Sequence, residues 1–122
     1  MVEMQGYLKL TDFGFAKHLP RGRTFTLCGT PDYQAPEIIT RKGHDRAVDV
    51  WALGIFMYEL LVGDSPFRET DNDHVRDIFR RILATNVNIP PHVSTKAAQL
   101  FWSILQKDGK RRLGCGSVRR LR

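Results

Sequence analysis

The chain has 122 residues, enough for one domain with a modest core, and its 42% hydrophobic and 26% charged content is ordinary for a soluble globular protein. The formal net charge of +6 resides in residues 107–122, where seven basic residues accompany one acidic residue, so the rest of the chain is neutral. A neutral body gives little support to nucleic-acid binding, because nucleic-acid-binding domains usually present a basic face.

Targeting and redox features are absent from the sequence. The first residues lack the basic start and apolar stretch of a secretory signal, and the longest apolar stretch, Trp51 to Tyr58, is too short to cross a bilayer. The two cysteines, Cys28 and Cys115, form no C-x-x-C pair, so neither a metal site nor a disulfide framework is indicated. We therefore expect a cytoplasmic protein without a membrane partner.

The first third of the chain is predicted to hold short elements. Residues 7–11 alternate apolar and polar side chains, which predicts a short strand leading into Asp12. Residues 17–30 are polar, contain glycine and proline and show no periodicity, so they are predicted to form a loop. Pro36 is tolerated at a first helical position and favours a short helix over Glu37 to Ile39.

The most apolar element is a helix predicted from Arg46 to about Val62, with Asp45 as its N-cap and Gly63 as its end. Its apolar side chains lie on nearly every side of the cylinder, which is typical of a helix in the centre of a larger helical body. Because only two further helices follow to cover it, we expect an exposed apolar face and poor solubility.

Two helices and a basic end complete the prediction. A third helix is expected from about His74 to Leu83, capped by Asp71 or Asp73. A fourth is expected from about Thr95 to Gln106, with a Ser94 cap and Ala98, Phe101, Trp102 and Leu105 on its inner side.

Residues 115–122 form a basic tail. A solvated end is the simpler interpretation of this tail, and an acidic partner or a membrane surface is the alternative.

Two tripeptides in order decide the functional class. Asp12-Phe13-Gly14 precedes Ala35-Pro36-Glu37, with a phosphorylatable loop between them, and this order is typical of the activation segment of a protein kinase. The surrounding residues, notably Thr24 to Tyr33 and Asp49 to Gly54, resemble the C-terminal lobe of AGC-group serine/threonine kinases. The resemblance is nearest to the cyclic-nucleotide-dependent kinases, and especially to their cyclic-GMP-dependent branch.

The resemblance implies a mainly α fold. Residues 1–114 would be a truncated kinase domain, with a short strand, an activation segment at 12–37 and a helical part at 45–106, and with the N-terminal lobe absent. The full-length enzyme would use ATP and Mg²⁺ to phosphorylate serine or threonine in protein substrates with arginine nearby. A regulatory domain could lie upstream.

The resemblance also assigns the metal and hinge residues. Asp12 would bind the Mg²⁺ that bridges the ATP phosphates, Phe13 would pack, and Gly14 would let the loop move. The alternative for Asp12 is an ordinary turn aspartate before glycine.

Phosphorylation and specificity residues follow from the same resemblance. Thr26 matches the activating phosphothreonine and Lys17 a cation that pairs with its phosphate, although Thr24 is also available in this loop. Thr30 would contact the catalytic groups and mark serine/threonine specificity.

Substrate-binding residues are implied on both sides of Thr30. Leu27, Pro31 and Gln34 would line the pocket for the residue after the phosphoacceptor, where a polar Gln34 departs from the usual aliphatic side chain. Glu59 would bind a substrate arginine, with an internal salt bridge as the alternative explanation for a carboxylate on an apolar helix.

Three further residues are implied to be structural. Glu37 and Arg112 resemble a long-range ion pair, with Arg111 as the alternative partner, and Asp49 resembles a residue that braces the catalytic loop.

The 122 residues contain no glycine-rich phosphate loop, no Val-Ala-x-Lys lysine and no His-Arg-Asp catalytic loop. We therefore expect this chain alone to be inactive and to bind neither ATP nor Mg²⁺ tightly. A non-catalytic interaction module is the main alternative function.

Overall fold

The structure is a computed structural model that describes residues 4, 6–20 and 22–115. It is mainly helical, as predicted, and its helices follow the expected order. Two short 3-10 turns, at Pro31–Tyr33 and Gly109–Arg111, flank the helical part. The four helices are α1 (Pro36–Ile39), α2 (Ala47–Val62), α3 (Val75–Ala84) and α4 (Thr95–Ile104).

Helix α2 ends at Val62 as predicted but begins one residue later than predicted, at Ala47, because Arg46 and not Asp45 takes the N-cap position. The Asp45 carboxylate accepts the Ala47 N–H at 2.9 Å, which satisfies one of the amides left free at a helix start. At the other end Gly63 adopts a φ of 96°, and its N–H donates to the Glu59 carbonyl at 2.8 Å. Glycine suits this left-handed position because it has no Cβ.

The predicted cap of α4 is confirmed and that of α3 is wrong. Ser94 Oγ accepts the Ala97 N–H at 3.3 Å. At α3 the capping position is His74, and no side chain caps the helix. Asp73 instead turns back to the preceding loop, where its carboxylate accepts the Glu69 N–H at 2.8 Å and pairs with Arg81. These donors hold the carboxylate away from the helix start.

No strand forms in the part of the chain that the structure describes, so the strand predicted at residues 7–11 is wrong. A strand needs a partner along its length, and in this segment Leu8 alone is a bridge residue. An isolated antiparallel bridge joins Thr24 to His44. Their two backbone hydrogen bonds, both 2.9 Å, tether the middle of the loop predicted at residues 17–30 to the residues just before α2.

The core lies between α2 and the segments that follow it. The Trp51 and Phe67 rings are stacked with centroids 5.9 Å apart, and Tyr58 meets Phe101 edge-on at 5.5 Å. Gly54 brings α2 and α4 together, because a Cβ at this position would lie 2.6 Å from Cγ2 of Ile104. Helix α2 is therefore the central element of the described chain.

The opposite face of α2 is open, as predicted from the small number of helices available to cover it. Its large side chains there are exposed: Leu53, Phe56, Leu60 and Leu61. Trp102 on α4 was predicted to face inward, but it is 56% exposed, because it lies one position, or about 100°, round the helix from the buried Phe101. No helix within the described ranges is both long enough and apolar enough to cross a membrane.

Candidate functional site

Asp12 lies on an exposed turn. Its φ of 63° is unusual for a residue with a side chain, and its Oδ1 accepts the Gly14 N–H at 3.3 Å. This is the geometry of a turn aspartate, which the sequence left open as the alternative to a metal ligand. Phe13 is exposed beside it.

The residues near Asp12 do not complete a metal site. Within the described ranges no group of three or more histidine, cysteine, aspartate or glutamate residues is placed to hold a metal ion. Mg²⁺ prefers about six oxygen ligands in an octahedral arrangement. Asp12 alone therefore does not fit a Mg²⁺ site formed by this chain.

The loop after the Asp-Phe-Gly tripeptide brings a lysine to two threonines. Lys17 Nζ donates to Thr24 Oγ1 at 3.0 Å and to Thr26 Oγ1 at 3.2 Å, and the two hydroxyl oxygens are 3.2 Å apart. The Thr24–His44 bridge holds the backbone of one of these two threonines in place. A negative group on either hydroxyl would lie beside the Lys17 ammonium.

Five of the predicted site residues line one cavity of about 350 Å³. The cavity lies between the loop and the first half of α2, and Asp49 lines it together with Thr24 and Thr26. Leu27 and Pro31, the predicted companions of Gln34, are not among its lining residues. The five that share it are Lys17, Thr26, Thr30, Gln34 and Asp49.

Gln34 is buried, with 6% of its surface exposed. Its Nε2 donates to the Gly29 carbonyl at 3.3 Å, while its Oε1 is buried without a hydrogen-bond partner in the described part of the chain. An unpaired buried acceptor is unfavourable, and this oxygen has almost no accessible surface in this structure. Leu27, by contrast, is exposed, and the structure does not bring it together with Gln34.

Glu59 on α2 accepts a hydrogen bond from the Tyr33 hydroxyl. Burial first, and then the Glu59 carboxylate, raise the pKa of Tyr33 to about 12. Among the described residues Glu59 has no ion pair, so the internal salt bridge considered as the alternative is absent there. Its carboxylate is half-buried and has acceptor capacity left for a second donor.

Asp32 forms an ion pair that the sequence did not predict. Its carboxylate accepts two hydrogen bonds from Arg68, at 2.9 Å from Nε and 2.6 Å from Nη2. Asp32 is 3% exposed, and the hydrogen bonding from Arg68 lowers its pKa. The two residues are 36 positions apart and belong to no motif, so no signal in a single sequence could have paired them.

Glu37 and Arg112 form the predicted long-range pair, and Arg111 is exposed and does not take part. Both carboxylate oxygens accept from the guanidinium, at 2.6 and 2.7 Å. Arg112 is 2% exposed and also donates to the carbonyls of Ala47 and Gln106, at 2.8 and 2.9 Å. This arrangement ties α1 and the start of α2 to the turn after α4.

Comparison with known proteins agrees with this arrangement. The sequence model described as "Protein kinase domain" matches residues 1–121. The chain belongs to the protein kinase family. Its resemblance to the AGC group is confirmed by relatives described as cAMP-dependent protein kinase catalytic subunits.

These relatives are similar over most of this chain but are much longer. The catalytic subunit from Dictyostelium discoideum is 48% identical over 93% of this chain and 17% of its own length. The human subunit PRKX is also 48% identical, over 93% of this chain and 31% of its own length. Catalytic subunit 3 from Drosophila melanogaster is 47% identical over 93% of this chain and 19% of its own length. The chain thus spans less than a third of these relatives, and kinship with the cyclic-GMP-dependent branch stays a prediction.

Proposed function

We propose that this chain is the activation-segment and helical part of a serine/threonine protein kinase. The whole protein would be cytoplasmic and would transfer the γ-phosphate of ATP to serine or threonine in proteins that carry arginine nearby. The observation that supports this best is the contact of Lys17 Nζ with both Thr24 and Thr26 in the loop between the two tripeptides.

The Lys17 contact gives a physical route to regulation. A phosphate on Thr26 adds about −1.5 to −2 charge and three acceptor oxygens. Lys17 is already within hydrogen-bond distance of that hydroxyl, so the phosphate would gain a charge-assisted partner without rearranging the loop. Thr30 and Asp49 line the same cavity as Thr26, so a more ordered loop at Thr26 would also restrict the positions of these two residues.

Substrate recognition is proposed at two places. Glu59 retains acceptor capacity beyond its bond from Tyr33, which suits an arginine of the substrate. Leu27 and Pro31 would contact the residue after the phosphoacceptor. Gln34 has a buried oxygen without a partner in the described part of the chain, so a hydrogen-bonding group would be accepted near this pocket once the side chain moves to expose that oxygen.

This 122-residue chain by itself is proposed to be inactive. Mg²⁺ and ATP would supply the transferable phosphate and its charge neutralisation in the whole enzyme, but Asp12 is the one metal ligand that the motif provides here. We expect no metal-dependent phosphate transfer to an arginine-containing peptide from the purified chain. Transfer above that of a heat-treated sample would contradict this.

A chimera tests the main proposal. The matched region of the human relative described above is replaced by the corresponding residues of this chain, and phosphorylation of an arginine-containing peptide is measured. We expect the chimera to be active and its Thr26→Ala variant to be about tenfold slower or worse, because small errors of position near the reacting groups are costly. Thr40→Ala, outside the loop, is the matched control. An inactive but folded chimera would contradict the proposal.

A non-catalytic interaction module remains the second candidate. The open apolar face of α2, with Leu53, Phe56, Leu60 and Leu61, favours it because such a face is typical of a binding surface. The two candidates differ in the chimera experiment, since a module that only binds would not support peptide phosphorylation.

A further inference from the structure

A second cavity borders the one lined by Thr24 and Thr26, with which it shares His44 and Asp45. Its volume is about 470 Å³, and it lies between the residues that follow α1 and the turn after α4. Basic side chains dominate its lining: Arg23, Lys42, His44, Lys107 and Lys110.

The acidic residues that line this cavity already have partners. Glu37 is held by Arg112 through both oxygens. Asp45 Oδ1 accepts the Ala47 N–H at 2.9 Å, and Asp108 Oδ1 accepts the Lys110 N–H at 3.0 Å. Arg112 neutralises Glu37, whereas Asp45 and Asp108 accept only backbone N–H groups and keep their negative charge. The four lysine and arginine side chains of the lining therefore still exceed these two unneutralised carboxylates.

Three of the cations have no protein partner for their charge. The side chains of Arg23, Lys42 and Lys110 are exposed and form no hydrogen bond or ion pair with any residue that the structure describes. Like charges around a concave surface raise the local positive potential and attract anions.

Lys107 differs from these three cations. Its Nζ donates to the Ile82 carbonyl and lies 5.4 Å from the Trp51 ring centroid and 4.7 Å from that of Phe67. Burial, and then the nearby Arg112, lower the pKa of Lys107 to about 8, so it is still mostly protonated at pH 7. It adds positive charge to the wall, but its ammonium is already occupied.

Two closely packed glycines line this cavity. Gly43 has a φ of 77°, and a Cβ there would lie 3.0 Å from the Phe25 ring. A Cβ at Gly109 would lie 3.0 Å from Oε1 of Glu37. Neither glycine N–H has an acceptor among the described residues, and backbone amides of this kind are common donors to phosphate oxygens.

We propose that this basic cavity, lined by Arg23, Lys42 and Lys110, binds a small ligand that carries two or more linked phosphate groups. Three cations without a protein partner among the described residues are placed around this one cavity of about 470 Å³, so more than one phosphate group can find a contact there. Linked phosphates supply both more charge and more acceptor oxygens, and guanidinium and ammonium groups are the usual partners of phosphate. Because the cavity joins the residues after α1 to the turn after α4, the ligand would bridge these two segments.

Titration calorimetry of the 122-residue chain with inorganic pyrophosphate at pH 7 tests the proposal. We expect saturable binding that is tighter than that of inorganic phosphate or citrate and that weakens as salt is added. The variant Lys42→Gln/Lys110→Gln should bind about tenfold more weakly, because two charge-assisted contacts are lost. The control Arg76→Gln/Lys96→Gln removes the same charge from exposed residues outside this cavity and should change affinity by less than about twofold.

Equal loss in both variants, or equal binding of citrate, would show general attraction of anions and overturn the proposal. An NMR measurement on the unsubstituted chain tests the proposal even if the variants fail to fold. Pyrophosphate should shift the amide resonances of Gly43 and Gly109 in a two-dimensional NMR spectrum, and shifts confined to residues away from the cavity would also overturn it. The chimera experiment does not depend on this ligand, so the two proposals can fail separately.

Discussion

Arg112 binds both carboxylate oxygens of Glu37 across 75 residues of sequence, with the two N–O distances at 2.6 and 2.7 Å. The guanidinium also lies over the Trp51 ring, 5.1 Å from its centroid. One side chain therefore joins α1, the central helix α2 and the turn after α4. We expect the stability of all three segments to depend on it.

Replacement of Arg112 tests this dependence. Arg112→Lys should lower the free energy of unfolding by about 3 kcal/mol, because a lysine cannot reproduce the forked contact and leaves Glu37 poorly paired. Urea unfolding followed by circular dichroism measures the change. Arg111→Lys, next to it but exposed, should change stability by less than about 0.5 kcal/mol. Similar changes in the free energy of unfolding for the two substitutions would mean that the Glu37–Arg112 pair contributes little to stability.

The Asp32–Arg68 pair predicts a pH dependence. Arg68 lowers the pKa of Asp32 in the folded state, so the pair's stabilisation is fully present above the unfolded pKa of about 3.9 and is lost as pH falls through the folded pKa. We expect Arg68→Gln to be less stable than the parent by about 1–2 kcal/mol at pH 7, since Arg68 is partly exposed.

That difference should shrink below about pH 4, because Asp32 of the unfolded chain then takes up a proton, whereas Asp32 of the folded parent takes it up only at lower pH. Urea unfolding of both proteins between pH 7 and pH 3 measures it. Arg80→Gln, whose partner Asp77 is an exposed neighbour on the same helix, is the control and should show little change at either pH. A difference between Arg68→Gln and the parent that stays constant with pH would show that Asp32 is not responsible.

The Lys17 contact predicts the behaviour of the phosphorylated loop. Phosphate on Thr26 should slow proteolysis of the loop several-fold, because it acquires a charged partner at a distance already near 3.2 Å. Limited trypsin digestion followed by mass spectrometry measures this at Arg23. The phosphorylated Lys17→Gln variant should lose the protection. Unchanged protection in that variant would place the phosphate against another group.

The open face of α2 predicts a change in dye binding. Leu60→Glu and Leu53→Gln replace exposed apolar groups, so they should reduce binding of a hydrophobic dye and raise solubility with less than about 0.5 kcal/mol of destabilisation. Fluorescence titration of the dye and urea unfolding measure the two effects. Ile55→Ala, on the buried face, should instead cost about 2–5 kcal/mol. If Leu60→Glu destabilised as strongly, this face would be packed rather than open.

Local chemistry was predicted well from the sequence. The limits of α2 depend on Asp45 and Gly63, which act on residues within four positions, and the Ser94 cap of α4 depends on Ala97. The resemblance to kinases supplied Glu37 and Arg112 as a pair. Such features can be predicted from a single sequence because the residues that form them are neighbours in the chain or belong to recognisable motifs.

Interactions between distant residues that belong to no motif were not predicted. The residues next to Asp32 in the sequence do not indicate its pairing with Arg68. The residues next to Asp73 likewise do not indicate that its carboxylate binds Arg81 and the Glu69 N–H instead of capping α3. The strand expected at residues 7–11 had the right alternation, but alternation does not supply a partner strand. The burial of Gln34 likewise depends on how the turn folds against α2.

The different environments of the two tryptophans provide an optical probe of this chain. Trp51 is fully buried between Phe67 and Arg112, whereas Trp102 is exposed. Iodide added to the solvent should quench the emission of Trp102 and leave that of Trp51 largely untouched. The remaining blue-shifted emission then reports the state of the core around Arg112 without any attached label.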